Sequence, residues 1–264
     1  MLFDSPAHLH SEQYSDDLEK IVEAIEQSDV EYVMDIGYDL ESSVKAVEHA
    51  KKYPWCYAVV GCHPHDAETM DELTLAMFQG LAKKPKVKAI GEIGLDYYRN
   101  LSKKDVQQHW FRRQIQLALE LGLPIVIHDR DANDDVMRIL KEEGAFSKSR
   151  IDSLGDAKVL IHCFSGSKEL ARQYIKLGAA ISIAGPVTYK NARRNIEVVQ
   201  EIPIEYLLIE TDSPYLTPEP LRGKRNQPDY VRYTAEKIAE ILGISYKEVA
   251  RITCENARKF FLID

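Results

Sequence analysis

The chain has 264 residues, with 34 basic and 42 acidic side chains and a formal charge of −8. Its composition, 45% hydrophobic and 29% charged, supports a full core and excludes intrinsic disorder and fibrous repeats. No apolar run approaches the roughly 20 residues that cross a bilayer. The start, from Met1 to Asp4, lacks the basic and apolar regions of a secretory signal. We therefore expect a cytoplasmic protein, monomeric by default, with no membrane association and no obligate protein partner.

The cysteines and the net charge further restrict the class of protein to which this chain can belong. Cys56, Cys62, Cys163 and Cys254 form no CxxC pair, so we expect reduced thiols and not a disulfide scaffold. The acidic balance argues against a protein that coats DNA through its whole surface, since that mode depends on many Lys and Arg contacts to phosphate. The acidic net charge is still compatible with a nuclease, because a metal site supplies positive charge locally.

Short apolar runs alternate with helical stretches along the whole chain. The runs are dense in Val, Ile, Leu and Ala, which is typical of parallel strands covered on both faces. Strands are predicted at 2–5, 31–36, 56–61, 87–94, 124–128, 157–162, 179–183 and 206–210. Eight strand–helix units without a Pro/Ser-rich linker predict an α/β fold, a (β/α)₈ TIM barrel that spans residues 1–264 as one domain. A doubly wound open sheet is the alternative.

Local signals mark several helix ends. Gly122 and Gly178 each stand between a helical stretch and a strand, where a left-handed glycine ends a helix. Two serines, Ser102 and Ser245, have an acidic residue three positions later, which is the spacing of a capping box at a helix start. The mid-helix histidines, His49 and His109, are expected to be solvated.

Polar residues of metal-binding type stand where the predicted strands end. Glu92 and Asp96 close the fourth strand, His128 the fifth and His162 the sixth; the third and eighth are followed by His63, His65 and Asp212. In a (β/α)-barrel, the carboxyl ends of all strands meet at one rim, where chemistry is built. We therefore expect residues from about position 8 to position 212 to converge in space.

Imidazoles mixed with carboxylates are typical of sites for divalent cations. Without a cation, several carboxylates in a partly desolvated pocket repel one another, at a cost of roughly several kcal/mol. One or two divalent ions remove that conflict and lower the pKa of bound water from about 15.7 toward 7, which favours hydrolysis. We favour ligand roles for Glu92, His128 and His162. Asp212 is either a ligand or a residue that caps the following loop.

A basic cluster follows the last two predicted strands. Loops at this place commonly hold phosphate in such barrels, and the planar fork of Arg matches phosphate oxygens. We predict substrate contacts for Arg222 and Arg225, and for Arg130, which follows His128 by two residues. Residues 190–194 are equally well explained as a solvated face. The cluster comprises Lys190, Arg193, Arg194, Arg222, Lys224 and Arg225.

Seven motifs in this order and spacing resemble the TatD-like metal-dependent deoxyribonucleases over essentially the whole chain. The resemblance implies a barrel of the metallo-dependent hydrolase type. It also implies cleavage of DNA phosphodiester bonds, exonucleolytic on single strands or chain ends, supported by one or two Mg²⁺ or Mn²⁺ ions, with Zn²⁺ as an alternative. The motifs are GCHPH (61–65), GEIGLDYY (91–98), IHDRDA (127–132), HCFSG (162–166), ETDSPYLTP (210–218), RGKRNQP (222–228) and Asn256.

The same resemblance implies a role for each site residue. Glu92 is shared by two metal ions, of which one is also bound by His128 and His162. The other is bound by His8 and Asp212, and Asp212 orients or deprotonates the attacking water, so Glu92 and Asp212 form the catalytic pair. The substrate side is implied to be lined by His63 and His65, beside the arginines predicted above.

One position departs from the family pattern. Members usually open with Asp-x-His-x-His, and both histidines bind the first ion; in the register set by Asp4, this chain has Pro6 and His8 instead. Proline has no metal-binding atom. A shifted register would pair His8 with His10 but misplace Asp4, and it stays open at this point. We therefore expect unequal metal affinities, with the site formed by Glu92, His128 and His162 filling first.

Two other functions remain open on the sequence. The first is a metal-dependent amidohydrolase or esterase acting on a small carbonyl substrate, which would not need the basic RGKRN cluster. The second is a nucleic-acid-binding relative whose turnover is impaired by Pro6. The retained carboxylates and histidines argue against the second, since buried charges without function tend to destabilise a fold.

Overall fold

The computed structural model describes the whole chain, residues 1–264, and contains eight strands in one sheet. The strands are β1 Leu2–Ala7, β2 Val30–Ile36, β3 Cys56–Val60, β4 Val87–Asp96, β5 Ile125–Arg130, β6 Val159–Ile161, β7 Ala180–Ile183 and β8 Leu207–Ile209. Each strand pairs in parallel with the next along the chain. This order confirms the (β/α)₈ barrel and excludes the doubly wound sheet, whose strand order reverses part-way.

Three strands, β1, β4 and β5, extend further than predicted toward the end of the barrel that carries the polar residues, and β1 continues to Ala7. β4 continues to Asp96 and β5 to Arg130, because their backbones stay paired through Gly94 with His128 and through Asp96 with Arg130. β6 is shorter than predicted and ends one residue before His162. The extension places Asp96 and Arg130 on strand backbone instead of in loops, whereas Glu92 and His128 lie within strands as predicted.

Individual hydrogen bonds connect β1 to the segment that follows β8. The amide of Asp212 donates to the carbonyl of Pro6 over 3.1 Å. Asp4, which is fully buried, accepts from the amide and from the hydroxyl of Thr211, each at 2.6 Å. The chain leading to His8 is thereby fixed against the chain that carries Asp212.

The opposite end of the barrel is closed by apolar side chains. Phe3, Met34, Val59 and others from seven strands point into it, and the last helix and the C-terminal residues cover them; Phe261 is 1% exposed there. A second, larger apolar cluster lies between the sheet and the surrounding helices. Because both of these regions are apolar, the charged interior of the barrel is confined to its carboxyl end.

Ten α-helices surround the sheet, and none is long and apolar enough to cross a membrane. They are α1 Leu18–Glu26, α2 Leu40–Lys52, α3 Glu72–Ala82, α4 Lys104–Leu121, α5 Asn133–Glu142, α6 Lys148–Leu154, α7 Lys168–Lys176, α8 Arg193–Glu201, α9 Val231–Leu242 and α10 Tyr246–Phe260. All four cysteines are free, as expected.

Most of the predicted helix ends are confirmed. Gly122 has φ of 65° after α4 and Gly178 has φ of 82° after α7, the left-handed conformation that favours glycine. Ser245 caps α10 by accepting from the Glu248 amide. The predicted cap at Ser102 is wrong: α4 begins at Lys104, and the Ser102 hydroxyl donates to a carbonyl of the loop after β3 instead.

Candidate metal centre

Four histidines surround the carboxylate of Glu92 at the carboxyl end of the barrel: His128 lies on β5, and the other three follow β1, β3 and β6. Glu92 Oε1 lies 2.8 Å from His128 Nδ1 and 2.7 Å from His162 Nε2. The same oxygen lies 3.5 Å from His63 Nε2, and Oε2 lies 3.9 Å from His8 Nε2. Glu92 is 4% exposed, so these nitrogens, and not bulk water, surround its charge. The strand-end residues therefore converge as the barrel topology requires.

The group has two sides, which differ in their donors. We call Glu92, His128 and His162 the Glu92 side, and His8 with Asp212 the His8 side. On the His8 side, His8 Nε2 lies 3.4 Å from Asp212 Oδ1, and His8 Nδ1 lies 2.8 Å from a backbone carbonyl of β2. Because a carbonyl only accepts, Nδ1 carries a hydrogen there and Nε2 is left to face Asp212.

Two further buried carboxylates lie beside the histidines of the Glu92 side, and one of them, Asp96, is hydrogen-bonded to its histidine. Asp96 Oδ2 lies 3.2 Å from His128 Nε2, and Glu210 Oε1 lies 3.6 Å from His162 Nδ1. Outer carboxylates of this kind orient a ligating imidazole and raise its basicity. From the sequence, Asp96 is only one of the strand-end residues of metal-binding type and Glu210 only the first residue of the ETDSPYLTP motif, with no specific role for either. The signal was present in both cases, since each acid stands in or directly after an apolar strand, as Glu92 does.

Burial and mutual charge set the ionisation of this group. Burial alone would raise the pKa of Glu92, but the neighbouring imidazoles hold it well below its ordinary value. Burial would lower the pKa of His162, but Glu92 and Glu210 raise it well above its ordinary value; the pKa of His128 is also raised by its carboxylate neighbours. Burial and charge on His128 lower the pKa of His63. These directions favour an ionised Glu92 whose charge is balanced by protons on His128 and His162.

The residues fit a divalent cation. Donor atoms of His63, Glu92 and His128 all lie within 4.8 Å of one another, and mixed imidazole and carboxylate donors suit Mn²⁺, Zn²⁺ and related ions. Both Glu210 oxygens and His162 Nδ1 are buried with no hydrogen-bond partner. A cation can replace the protons that the imidazoles share with the carboxylates without changing the charge balance. His63, for which the sequence predicts only a substrate contact, belongs to this donor group.

Comparison with known proteins decides the family. The family model described as TatD related DNase matches residues 3–262. The metal-dependent hydrolase YabD of Bacillus subtilis (strain 168), described as uncharacterized, is 49% identical over 264 residues, which cover 100% of both chains. The chain belongs to the TatD family. This membership places it among metal-dependent hydrolases and confirms the resemblance drawn from the seven motifs.

Two other relatives extend this result. A Salmonella typhimurium protein named 3'-5' ssDNA/RNA exonuclease TatD is 35% identical over 267 residues, which cover 98% of each chain. The crystal structure of YJJV, a TATD homolog from Escherichia coli K12, matches at a TM-score of 0.89 and 26% identity, covering 100% of this chain and 98% of that one. The barrel described above is therefore the fold of TatD-family structures.

In this TatD-family chain, the register set by Asp4 is the one that the structure contains. Asp4 is bonded to the segment after β8, and His8 is the residue that faces Glu92 and Asp212. His10 Nδ1 instead lies 3.1 Å from the carboxylate of Asp35 on β2. The shifted register, in which His8 and His10 would act as the family's histidine pair, is therefore not formed.

Three predicted substrate residues stand at or after the ends of β3, β5 and β8, at the carboxyl end of the barrel, which we call its mouth. His65 Nε2 lies 2.8 Å from Asp96, and its side chain is 26% exposed. Arg130, the last residue of β5, places its guanidinium 4.2 Å from the centre of the Tyr98 ring. Arg222 stacks in the same way on Tyr189 at 4.3 Å. Both arginines are exposed and form no ion pair with this chain, so their charge is available to a ligand.

Two sequence predictions need correction. Arg225 was expected to face substrate with Arg222, but its guanidinium forms two hydrogen bonds with Asp17 (2.8 and 2.7 Å) and lies 4.8 Å from the centre of the Tyr14 ring. Its charge is therefore neutralised within the chain. His49 is not a solvated helix residue, because its Nδ1 lies 2.7 Å from Asp35, which is fully buried.

Proposed function

We propose that this TatD-family hydrolase cleaves phosphodiester bonds at the ends of single-stranded DNA with the help of Mg²⁺ or Mn²⁺. One observation carries the proposal: the carboxylate–imidazole group around Glu92 lies at the same end of the barrel as Arg130 and Arg222, which have no acidic partner in the chain. Metal-binding donors and unpaired arginines at the same end of the barrel suit an anionic ester as substrate. The printed name of the Salmonella relative, 3'-5' ssDNA/RNA exonuclease, supports the same class of reaction.

The two sides of the site would hold one ion each. His128 and His162 with Glu92 would hold the first, and His8 and Asp212 with Glu92 the second. When bound, such ions neutralise phosphate charge and lower the pKa of water toward 7. Mg²⁺ keeps several waters in protein sites, so a side with few protein donors can still bind it.

We assign to the side chain of Asp212 the role of accepting the proton of the attacking water. It stands directly at the His8 side, is 15% exposed, and has a φ of 55°, a conformation that costs a non-glycine residue about 1–3 kcal/mol. The bonds from Asp4 to Thr211 and from the Asp212 amide to Pro6 hold this conformation. Water oxygen then bonds to phosphorus, the P–O ester bond breaks, and the leaving oxygen takes a proton from solvent.

Exposed aromatic side chains at the mouth favour a single-stranded substrate. Tyr38, Tyr98 and Tyr215 are 36%, 63% and 51% exposed. The ring centres of Tyr38 and Tyr215 lie 6.0 and 6.2 Å from that of His8, so both flank the His8 side. Unpaired bases stack on such rings irrespective of sequence, whereas bases within a duplex offer no free face. We therefore propose DNA chain ends as the substrate.

The experiment compares four substrates with the purified protein: an end-labelled single strand, a hairpin with closed ends, a blunt duplex and a small carboxylic ester. Each is incubated with Mg²⁺, Mn²⁺ or chelator. We expect stepwise shortening of the single strand only, lost in chelator and reduced more than about 100-fold by Glu92→Gln. Glu48→Gln, an exposed site on α2, is the matched control.

Each rival function has its own outcome in this experiment. Ester hydrolysis without DNA cleavage would replace the proposal with a carbonyl hydrolase. Binding of DNA without shortening, in both metals, would leave a binding protein. Cleavage that survives both chelator and Glu92→Gln would exclude the carboxylate–imidazole group as its source.

A further inference from the structure

A buried carboxylate lies outside the metal centre and is not part of any motif described above. Asp35 on β2 is fully buried and accepts three hydrogen bonds. Its Oδ1 accepts from the Leu9 amide (2.9 Å) and from His10 Nδ1 (3.1 Å), and its Oδ2 accepts from His49 Nδ1 on α2 (2.7 Å). All of the donors to this carboxylate are therefore supplied by the turn after β1 and by one helix.

The next residue of β2 holds the same turn from a second point. The carbonyl of Ile36 lies 2.8 Å from His8 Nδ1. Two consecutive residues of β2 thus fix three consecutive residues of the turn: His8 through its ring, Leu9 through its backbone and the residue after it through its ring. The direction of His8 Nε2, toward Asp212 and Glu92, depends on where these bonds hold the turn.

Neighbouring rings leave His8 little freedom to rotate. The His10 ring stands nearly perpendicular to that of His8, at 87° with 5.6 Å between centres. The Tyr38 ring packs on both, with its centre 5.3 Å from that of His10 and 6.0 Å from that of His8. His10 is itself held by Asp35, and its Nε2 is buried without a partner. The His10 ring therefore restricts rotation of the His8 ring, and the hydrogen bond from His10 to Asp35 keeps the His10 ring in place.

A buried acid with two histidines is not needed for packing alone. Replacement of a buried ionic cluster by apolar residues of similar volume is often neutral or stabilising, so stability alone does not account for this cluster. The geometry matters here because Pro6 leaves His8 as the imidazole that faces Asp212. A site with few donors gains most when each donor is held in its binding orientation.

We propose that Asp35 is a positioning residue for His8, and that with His10 and His49 it orients the metal-binding nitrogen of the His8 side. The proposal rests on the metal centre of the proposed function. It assigns Asp35 no contact with metal or substrate: the residue acts through the turn 8–10.

The test is calorimetric titration of the metal-free protein with Mn²⁺ alone, for the wild type, Asp35→Asn and His49→Gln. Asparagine keeps an oxygen for the Leu9 amide but removes the charge that holds the two histidines. We expect the weaker of two binding events to lose about 10- to 100-fold in affinity in Asp35→Asn, less in His49→Gln, while the tighter event is unchanged. Thr253→Val, in α10 at the far end of the barrel, controls for general destabilisation.

Two more measurements separate positioning from mere stability. Imidazole ¹⁵N spectra of the metal-free protein report the His8 ring directly, and we expect its signals to shift in Asp35→Asn but not in Thr253→Val. Adding Pro6→His to Asp35→Asn supplies a second imidazole and should restore most of the lost affinity. Thermal midpoints are recorded for every variant.

The outcomes distinguish this inference from the proposed function. No Mn²⁺ binding by the wild type overturns the metal centre and this inference with it. Two binding events that Asp35→Asn weakens equally, or does not weaken, overturn the inference alone. Loss of the weaker event in Thr253→Val to the same degree also overturns it, because the effect would then follow stability and not the position of His8.

Discussion

The two sides of the metal centre share one carboxylate but are built differently. On the Glu92 side, two histidines contact Glu92 within 2.8 Å, and each has a buried acid behind it. On the His8 side, one histidine contacts Asp212 at 3.4 Å and has a backbone carbonyl behind it. The motifs of the family are thus preserved on one side and depleted on the other by Pro6. Family membership defines the kind of site, and we predict that one residue, Pro6, makes its two halves differ in metal affinity.

The largest effect should come from removing one histidine from each side in turn. His162→Ala takes an imidazole from the Glu92 side and should weaken the tighter Mn²⁺ binding event by more than about 100-fold. His8→Ala removes the imidazole of the side for which we predict weaker binding, so the tighter event should change little. Titration calorimetry and metal analysis after gel filtration measure both. His109→Ala, on the exposed face of α4, is the control.

The comparison between the sides is reversed if His8→Ala, and not His162→Ala, abolishes the tighter event. The His8 side would then be the stronger of the two. The short contacts around Glu92 would in that case report only proton sharing in the metal-free protein, and not the order in which ions bind.

Pro6→His should change Mn²⁺ affinity by a smaller factor than His162→Ala does, and should raise it instead of lowering it. The new imidazole adds a donor to the His8 side and should tighten the weaker event by roughly tenfold or more, bringing the two affinities closer together. The Pro6 carbonyl, which accepts from the Asp212 amide, is retained in any substitution. Pro6→Ala is therefore the matched control. Equal tightening in both variants would show that release of the proline, and not the imidazole, is responsible.

The sequence predicts the barrel well because the barrel depends on local patterns. Eight apolar runs, spaced by helical stretches, were enough to place every strand, and the strand-end rule brought Glu92, His128 and His162 together. The strand ends were less accurate: β4 continues past Gly94 because β5 pairs with it, which depends on a partner more than 30 residues away. Bounds that are set by pairing are not visible in one strand alone.

The roles that the sequence could not assign depend on contacts between distant segments. Asp17 and Arg225 are 208 residues apart, and Asp35 and His49 lie on different elements. Nothing in the RGKRN motif shows that one of its arginines is already paired. A usable signal did exist for Asp35, since an acid within the apolar run VMDIG requires buried partners, as Glu92 does.

The smallest predicted effects concern the two arginines of the RGKRN motif, whose replacement should change different quantities: DNA affinity for Arg222 and stability for Arg225. Arg222→Ala removes an unpaired charge at the mouth and should weaken binding of single-stranded DNA roughly three- to tenfold. It should also reduce the slope of log K against log salt by about 0.7, the value for one phosphate contact with a single strand. Arg225→Ala instead breaks the pair with Asp17 and should lower the free energy of unfolding by less than about 1 kcal/mol.

Fluorescence anisotropy with a labelled oligonucleotide at several salt concentrations, together with urea unfolding, tests both variants. The salt slope is the decisive quantity, because general destabilisation lowers the fraction of folded protein without changing the number of phosphates that are neutralised. An unchanged slope in Arg222→Ala would remove this arginine from the substrate path. A reduced slope in Arg225→Ala would mean that DNA competes with Asp17 for its guanidinium, and the motif would then act as a unit.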